Sequence, residues 1–349
     1  MLMLLLTAQF TLAGGFRSIN GAPAFLEDVN GDGVVNMLDV AIVAHAFDTR
    51  PGDFRWNERA DLNNDGVINL RDLSLVAARF GKTGSAQSQG KVLTGWRSSP
   101  YGLQQQAEPD YWIDVAKKMS SKLNKSIPSG MWILGETVGR KCQLTFPSST
   151  PYPNMVFSET DENEKYLDAF DAAGLGVWLQ VEPADANVKT LINLVLERYH
   201  QHSCLLGFGV DVEWLEAGNY SDGRPVTNEE AQAWLSEVKS YNSSYKLFLK
   251  HWLVEKMPGA HIADVVFVDD SQEFSSMNNL VHEFKDWGTH FSRSEVCFQI
   301  GYESDMEWWS KLADPYQTIS DTLVDEIPNC RGIYWVDFTL QIVYPLARA

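Results

Sequence analysis

The sequence predicts an α/β protein in two parts. A small, duplicated all-α module of loops and helices comes first, and a (β/α)8 TIM-type barrel with one or two outer helices missing follows it. Three observations carry this prediction. An acidic twelve-residue segment occurs twice, 33 residues apart. From Lys91 onward, eight short apolar or β-branched runs alternate with amphipathic helical patterns, the signature of a parallel sheet covered by helices. Eight such units in about 259 residues match the repeat number and size of a closed barrel. A doubly wound open sheet is the alternative, and it would place a ligand at a switch in strand order.

Composition narrows the function classes. The net charge of −18 and pI of about 4.7 argue against a phosphate-binding surface, so no nucleic acid partner is expected. Hydrophobic residues at 44% supply a large core and exclude general disorder. No run reaches the roughly 18 apolar residues that span a bilayer, so no membrane span is expected. Residues 1–23 open with MLMLLLTAQFTLAGG, the short apolar run of a signal peptide without a preceding Lys or Arg. A buried apolar segment or a mis-called start codon fits the same residues. Cys142, Cys204, Cys297 and Cys330 form no CxxC pair and are compatible with buried thiols or with one or two disulfides.

The repeat, in residues 24–82, carries the first chemistry. Residues 28–39 read DVNGDGVVNMLD and residues 61–72 read DLNNDGVINLRD, each followed by an apolar helical stretch. The pattern D-x-N-x-D-G-x-x-N-x-x-D converges alternate oxygen side chains on one hard cation, with Gly allowing the sharp turn. Asp28, Asn30, Asp32, Asn36 and Asp39 form one calcium loop. Asp61, Asn63, Asp65, Asn69 and Asp72 form the other, and the carbonyls of Val34 and Val67 are expected as further ligands. Asp stands at the twelfth position where an EF-hand has Glu, and no second helix precedes either loop. Two ordinary Asx-rich turns are the bland alternative.

This duplicated loop and helix resembles the type I dockerin module, from about Phe25 to Lys82. The resemblance implies two structural calcium ions, a cohesin domain of a scaffold or cell-surface protein as partner, and partner reading by residues after the ninth loop position. Those are Met37 and Leu38 in one copy and Leu70 and Arg71 in the other, which differ where symmetric, two-way docking wants them alike. It also implies a secreted, extracellular enzyme that attacks polysaccharides. The module's ten acids and six bases leave about −4, which two calcium ions would cancel.

Small polar residues at 83–90 read as a flexible linker to the barrel at 91–349. The eight strand runs, in order, are KVLTGW, GMWILGE, LGVWLQVE, LLGFGVDVE, KLFLKHW, VVFVDD, EVCFQIGY and RGIYWVDF. The helical patterns between them are DYWIDVAKKMSSKL, ENEKYLDAFDAAG, VKTLINLVLERYHQ, NEEAQAWLSEVKSY and MNNLVHEFKDWG. LVEKMPGAHIA, between the fifth and sixth runs, is too short and broken for a full helix, and only about eleven residues follow the eighth. No G-x-G-x-x-G or P-loop follows a strand, which argues against a nucleotide enzyme.

Barrel chemistry sits at the C-terminal ends of the strands. Those ends carry Trp96 and Arg97, Glu136, Glu182, Asp211 and Glu213, His251 and Trp252, Asp269 and Asp270, Tyr302 and Glu303, then Trp335 and Asp337. Converging carboxylates with aromatic rings are what glycosidic hydrolysis needs. The barrel's own charge of −15 favours neutral or cationic sugars over polyanions. The sharpest local signal is LLGFGVDVEW. Along an extended strand Gly209, Asp211 and Glu213 share one face, and a close carboxylate pair keeps one member protonated. Glu182 and Asp269 are further candidate acids, and Trp96, Arg97, Trp252, Tyr302 and Trp335 are candidate sugar contacts. No HxxxH pair, GxSxG or other cofactor signature points to a metal or cofactor in the barrel, or to an esterase.

LLGFGVDVEW is similar to the strand-four motif D-G-x-D-x-D-x-E of family 18, chitinase-like glycoside hydrolases. Gly207, Asp211 and Glu213 match it, while Leu206 and Gly209 stand where that family has Asp. GIYWVDF resembles its Trp-ending last strand. The resemblance implies Glu213 as general acid, Asp211 orienting an N-acetyl group, Trp335 as the floor, and retention through substrate assistance. A different arrangement pairs Glu213 with Glu303 as nucleophile and acts on glycans without N-acetyl groups. A non-catalytic carbohydrate-binding barrel is the rival class.

Overall fold

The computed structural model describes residues 27–30, 34–81, 91–104, 106–217, 222–259 and 261–346. The signal-like segment 1–23, the linker 83–90 and the loop ligand Asp32 lie outside the described residues. The chain divides into two compact units, Met1–Ala86 and Gln87–Ala349.

In the first unit, α1 (Met37–His45) and α2 (Leu70–Arg79) each follow one acidic loop. Each starts with a capping box formed by the loop's own residues. Asn36 caps the amide of Leu38 and Asp39 accepts from the amide of Asn36. Asn69 caps that of Arg71 and Asp72 accepts from that of Asn69. The calcium-loop pattern is therefore also a helix start signal. The loops and helices share a small core of Val29, Val35, Val43, Ala46, Ala60, Leu62, Ile68 and Val76.

The second unit is a closed barrel. Its eight parallel strands are β1 (Val92–Ser98), β2 (Ser126–Val138), β5 (Gly176–Val181), β6 (Leu205–Asp211), β7 (Lys246–Lys250), β8 (Val265–Asp269), β9 (Glu295–Ile300) and β10 (Cys330–Val336). They pair in that order and close through β1 and β10. All eight expected runs are these strands, and the open sheet is excluded because the first strand pairs with both the second and the last. The sequence reading missed β3 (Lys141–Leu144) and β4 (Met155–Phe157), a short extension on the long end of β2.

Helices α3 (Pro109–Lys122), α4 (Glu164–Ala173), α5 (Val188–Tyr199), α6 (Asn228–Tyr241), α7 (Met277–His290), α8 (Met306–Trp309), α9 (Pro315–Glu326) and α10 (Asp337–Val343) complete the unit. Between β7 and β8 only a 3-10 turn, Val254–Lys256, takes the helix's place, as the broken pattern there predicts. Start signals are explicit: Thr227 and Glu230 form a capping box for α6, Ser276 caps α7, and Asp314 precedes Pro315 of α9.

Strand alternation sorts the side chains into two cores. One face of the strands packs against the helices. The other fills the barrel lumen with Met131, Trp178, Phe248, Val266, Val268, Cys297 and Tyr334, flanked by Leu93 and Leu206. The lumen is plugged, so the chemistry is confined to the strand ends above it. All four cysteines are buried free thiols. No described helix is long and apolar enough to cross a membrane.

Candidate functional site

Continuing the inward-facing positions toward the C-terminal ends replaces apolar side chains by polar ones. On β7 the inward series Lys246, Phe248, Lys250 ends on a lysine, and on β8 the series Val266, Val268 continues to Asp270. Asp211 ends β6 directly opposite Lys250. The chain then tightens into a 3-10 turn, Val212–Trp214, that carries Glu213. Glu213 and Asp211 thus face the same lysine, but not through two-residue alternation along one strand, because the strand stops at Asp211.

Lys250 is the hub. Its buried ammonium lies 3.0 Å from Asp211 Oδ2 and 2.5 Å from Asp270 Oδ2, and it donates to Glu213 Oε1. Gln180 donates to Asp211 Oδ2 at 3.1 Å. Side-chain exposures are 1% for Asp211, 5% for Asp270 and 12% for Glu213, so Glu213 is the member that meets solvent.

Three carboxylates around one cation cannot all carry full charge cheaply. Burial, reinforced by Asp270, pushes the Glu213 carboxyl well above its ordinary range, against the pull of Lys250. Burial likewise pushes Asp211 up to about 7, with Lys250 opposing and Glu182 and Asp270 adding repulsion. Asp270 goes the other way: burial raises it, but Lys250 and a hydrogen bond with Glu213 outweigh burial and hold it below its usual value. Proton affinity is thus raised at Glu213 and lowered at Asp270. Burial pushes His251 down to about 4, and its Nδ1 accepts the Leu253 amide at 2.9 Å, so it is a neutral turn-holding imidazole.

Several buried polar atoms here have no hydrogen-bond partner among the described residues: Asp211 Oδ1, Asp270 Oδ1, Gln180 Oε1, His251 Nε2 and Arg97 Nε. Such orphaned groups are rare in closed cores and are satisfied by a polar ligand or water.

The other expected residues distribute as follows. Arg97 is buried, 3.5 Å from Asp337 and donating to the Tyr101 hydroxyl at 2.9 Å. Glu182 accepts from the Tyr101 hydroxyl at 2.5 Å and from the Thr137 amide at 2.8 Å. Tyr302 is buried and donates to Gln299 at 3.1 Å. Trp252 is partly exposed, its ring 4.3 Å from that of His251. Glu303 is exposed at the start of a 3-10 turn, outside the Lys250 cluster.

Three expectations need correction. Trp96 and Trp335 are fully buried on the helix-facing side of their strands. Trp96 packs on Trp112 and Trp132, and Trp335 on Trp309, with its indole donating to Thr339. Strand parity turns them away from the mouth, because inward Arg97 neighbours Trp96 and inward Tyr334 neighbours Trp335. Parity also directs Asp269 outward, where it caps the Ser271 amide, and brings its neighbour Asp270 into the cluster instead. Reading that parity would have found both Asp270 and Lys250 from VVFVDD and KLFLK. Among the described residues, Tyr101 and Phe338 are exposed aromatics of the mouth, stacked 6.0 Å apart beside the Arg97 guanidinium. Tyr101 lies in the loop after the first run, and Phe338 closes the eighth run RGIYWVDF one residue beyond Asp337, where the strand-end inventory stopped.

The acidic loops of the first unit repeat in space as in sequence. Asn36 and Asn69 each donate to the carbonyl two residues earlier, Val34 and Val67, at 2.9 Å. Asp39 and Asp72 each accept an amide from across their loop, that of Asn30 at 3.0 Å and of Leu62 at 2.8 Å. Gly66 holds φ +76°, the left-handed turn the sixth position requires. Asp61 Oδ1 is buried without a hydrogen-bond partner among the described residues, and burial together with Asp72 and Asp65 raises its proton affinity. An orphaned carboxylate oxygen beside two further carboxylates is a donor set that fits calcium.

Residues 26–81 match the family model Dockerin type I domain. No curated protein matches the chain. A solved structure named type II cohesin-dockerin domain from Bacteroides cellolosolvens is 52% identical over 18% of this chain and 93% of that chain, with a TM-score of 0.16. Over the barrel, the β-glucuronidase of Parabacteroides merdae is 10% identical over 72% of this chain and 33% of that chain, with a TM-score of 0.40. The FMN-binding β-glucuronidase of Facaelibacterium prausnitzii L2-6 is 12% identical over 71% of this chain and 38% of that chain, with a TM-score of 0.43. The chain spans only about a third of the length of these two proteins, and likenesses this low bear on neither substrate nor reaction. Dockerin domains bind calcium, and residues 26–81 are a dockerin type I domain.

Proposed function

We propose that the protein is a secreted glycoside hydrolase held on a cohesin-bearing scaffold by its calcium-loaded dockerin. The observation that carries the hydrolase reading is the carboxylate cluster on Lys250, with Glu213, whose proton affinity is raised, at its solvent edge and Asp270 behind it. Glu213 is the general acid that protonates the leaving oxygen. Asp270 and Lys250 hold that proton in place until a glycosidic oxygen arrives. Tyr101 and Phe338 form the aromatic rim against which a sugar face packs.

Glu213 and Asp270 hydrogen-bond to each other. That is closer than the about 5–5.5 Å of a retaining carboxylate pair or the roughly 6.5–9.5 Å of an inverting one. Asp270 is thus a partner of the acid and not its nucleophile, which leaves water, the substrate itself or the exposed Glu303 for that role. The same closeness favours one second reading, a binding barrel whose carboxylates are consumed by Lys250.

Wild type and Glu213→Gln, offered chitin, glucan, xylan and mannan oligosaccharides, separate the two. Hydrolysis by wild type that falls roughly 10²- to 10⁴-fold in the variant, with binding retained, supports the acid role. Binding without cleavage by wild type supports the second reading. For the dockerin, two calcium ions held by the residues Asp28 to Asp39 and Asp61 to Asp72 are expected to order the module. Capture of the full chain by immobilised cohesins of both types, with and without chelator, tests the partner.

A further inference from the structure

In the barrel unit, outside the Lys250 cluster, α4 carries Glu164, Asp168 and Asp171 at helical spacings of four and three, which places them along one face. His202, in the turn between α5 and β6, packs against that face and is 4% exposed. Its Nδ1 lies 2.8 Å from Asp171 Oδ2. Asp171 also accepts the Cys204 amide at 2.7 Å and the Ser203 hydroxyl at 3.1 Å. An ionised Asp171 is an acceptor only, so the hydrogen between the two belongs to Nδ1. In the neutral imidazole the lone pair is then on Nε2.

That Nε2 is buried and has no hydrogen-bond partner among the described residues. It faces Glu164 Oε1 at 3.4 Å. One ligand atom each from Glu164, Asp168 and His202 lie within 4.8 Å of one another. Ligand atoms around a tetrahedral zinc are roughly 3.4 Å apart, given bonds of about 2.0–2.2 Å. Asp168 is exposed and the Glu164 side chain is 47% exposed, so both are free to rotate inward. A carboxylate behind a histidine whose other nitrogen points at two more carboxylates is the arrangement that orients metal-binding imidazoles.

We propose that Glu164, Asp168 and His202 bind one divalent transition-metal ion of the zinc class, with Asp171 as the residue that orients the imidazole. The nitrogen ligand selects such an ion over calcium, which takes oxygen ligands in larger number. The site ties α4 to the turn before β6 and includes no residue of the Lys250 cluster, so its role is structural.

The test uses the full chain in excess calcium, so that the oxygen loops are filled, with zinc binding followed by calorimetry and Co2+ binding by visible absorption. One zinc equivalent and a Co2+ spectrum showing nitrogen ligation are expected. His202→Gln and the surface double variant Glu164→Gln with Asp168→Asn should each weaken binding at least about 10-fold. Asp171→Asn should weaken it roughly 10- to 100-fold, and His282→Gln, on the exposed face of α7, should leave it unchanged. The double variant alters only solvent-facing side chains, so it reads the site even if His202→Gln fails to fold. No zinc uptake in calcium, or uptake that survives both the double variant and His202→Gln, overturns the proposal. So does an imidazole that stays protonated on both nitrogens at pH 8 with zinc present, because His202 is then only an ion-pair bridge between Asp171 and Glu164.

Discussion

At the scale of the residue, the barrel's chemistry turns on one lysine. Lys250 is 3% exposed and surrounded by three carboxyls. Removing one partner from such a cluster leaves buried charge uncompensated, at a cost of about 3–5 kcal/mol. Lys250→Met is therefore expected to lower unfolding stability by that order at neutral pH, and by less in acid, where the carboxyls protonate. Denaturant melts at several pH values check this. Asp211 gives the sign of a second dependence. Its folded carboxyl is raised from 3.8 to about 7, so the folded state holds the proton more tightly than the unfolded chain. The stability this contributes is present below about pH 4 and is lost as pH rises through about 7. Asp211→Asn, which keeps the acceptor and removes the titration, should flatten the stability profile between those limits.

The element scale explains why the chitinase-like ladder is incomplete. The barrel strand β6 has Gly209 where that family has Asp, and a Cβ there would sit 2.0 Å from the Phe248 ring on β7. Phe248 fills the lumen at that level, so no acidic side chain fits beneath Asp211. Overpacking of this kind typically costs 1–3 kcal/mol, which is about the loss expected for Gly209→Ala in a denaturant melt. The double variant Gly209→Ala with Phe248→Leu should recover part of it, because the clashing atoms belong to a side chain. The comparisons do not support the family 18 likeness, and packing alone accounts for Gly209: β7 supplies an aromatic plug and a lysine at that level.

Across the whole molecule, the two units rest on different physics. The barrel unit has two large apolar cores, whereas the dockerin core is a handful of small aliphatics beneath clustered carboxylates. Calcium is expected to supply what that core lacks. Chelation should therefore melt the first unit and leave the second folded, seen as loss of one of two calorimetric transitions. Asp28→Ala together with Asp61→Ala should do the same in the presence of calcium.

How much of this was legible in the sequence follows from how local each signal is. The dockerin is read from one continuous pattern, because its ligands, its turn glycine and its helix caps lie within twelve residues of each other. The eight strands are equally legible, since near-continuous β-branched runs suit a sheet that is buried on both faces. Glu213 and Asp211 stand out because they lie two residues apart in one apolar run. The inward direction of Asp270 and Lys250 depends on strand parity, and their meeting depends on barrel closure, which sets β6, β7 and β8 side by side in register. The fate of Trp96 and Trp335 turned on the same parity, since a one-residue step moves a side chain from the mouth to the helix layer. Composition and spacing fixed which chemistry-bearing residues the chain owns. Only the closed sheet decided which of them meet at Lys250.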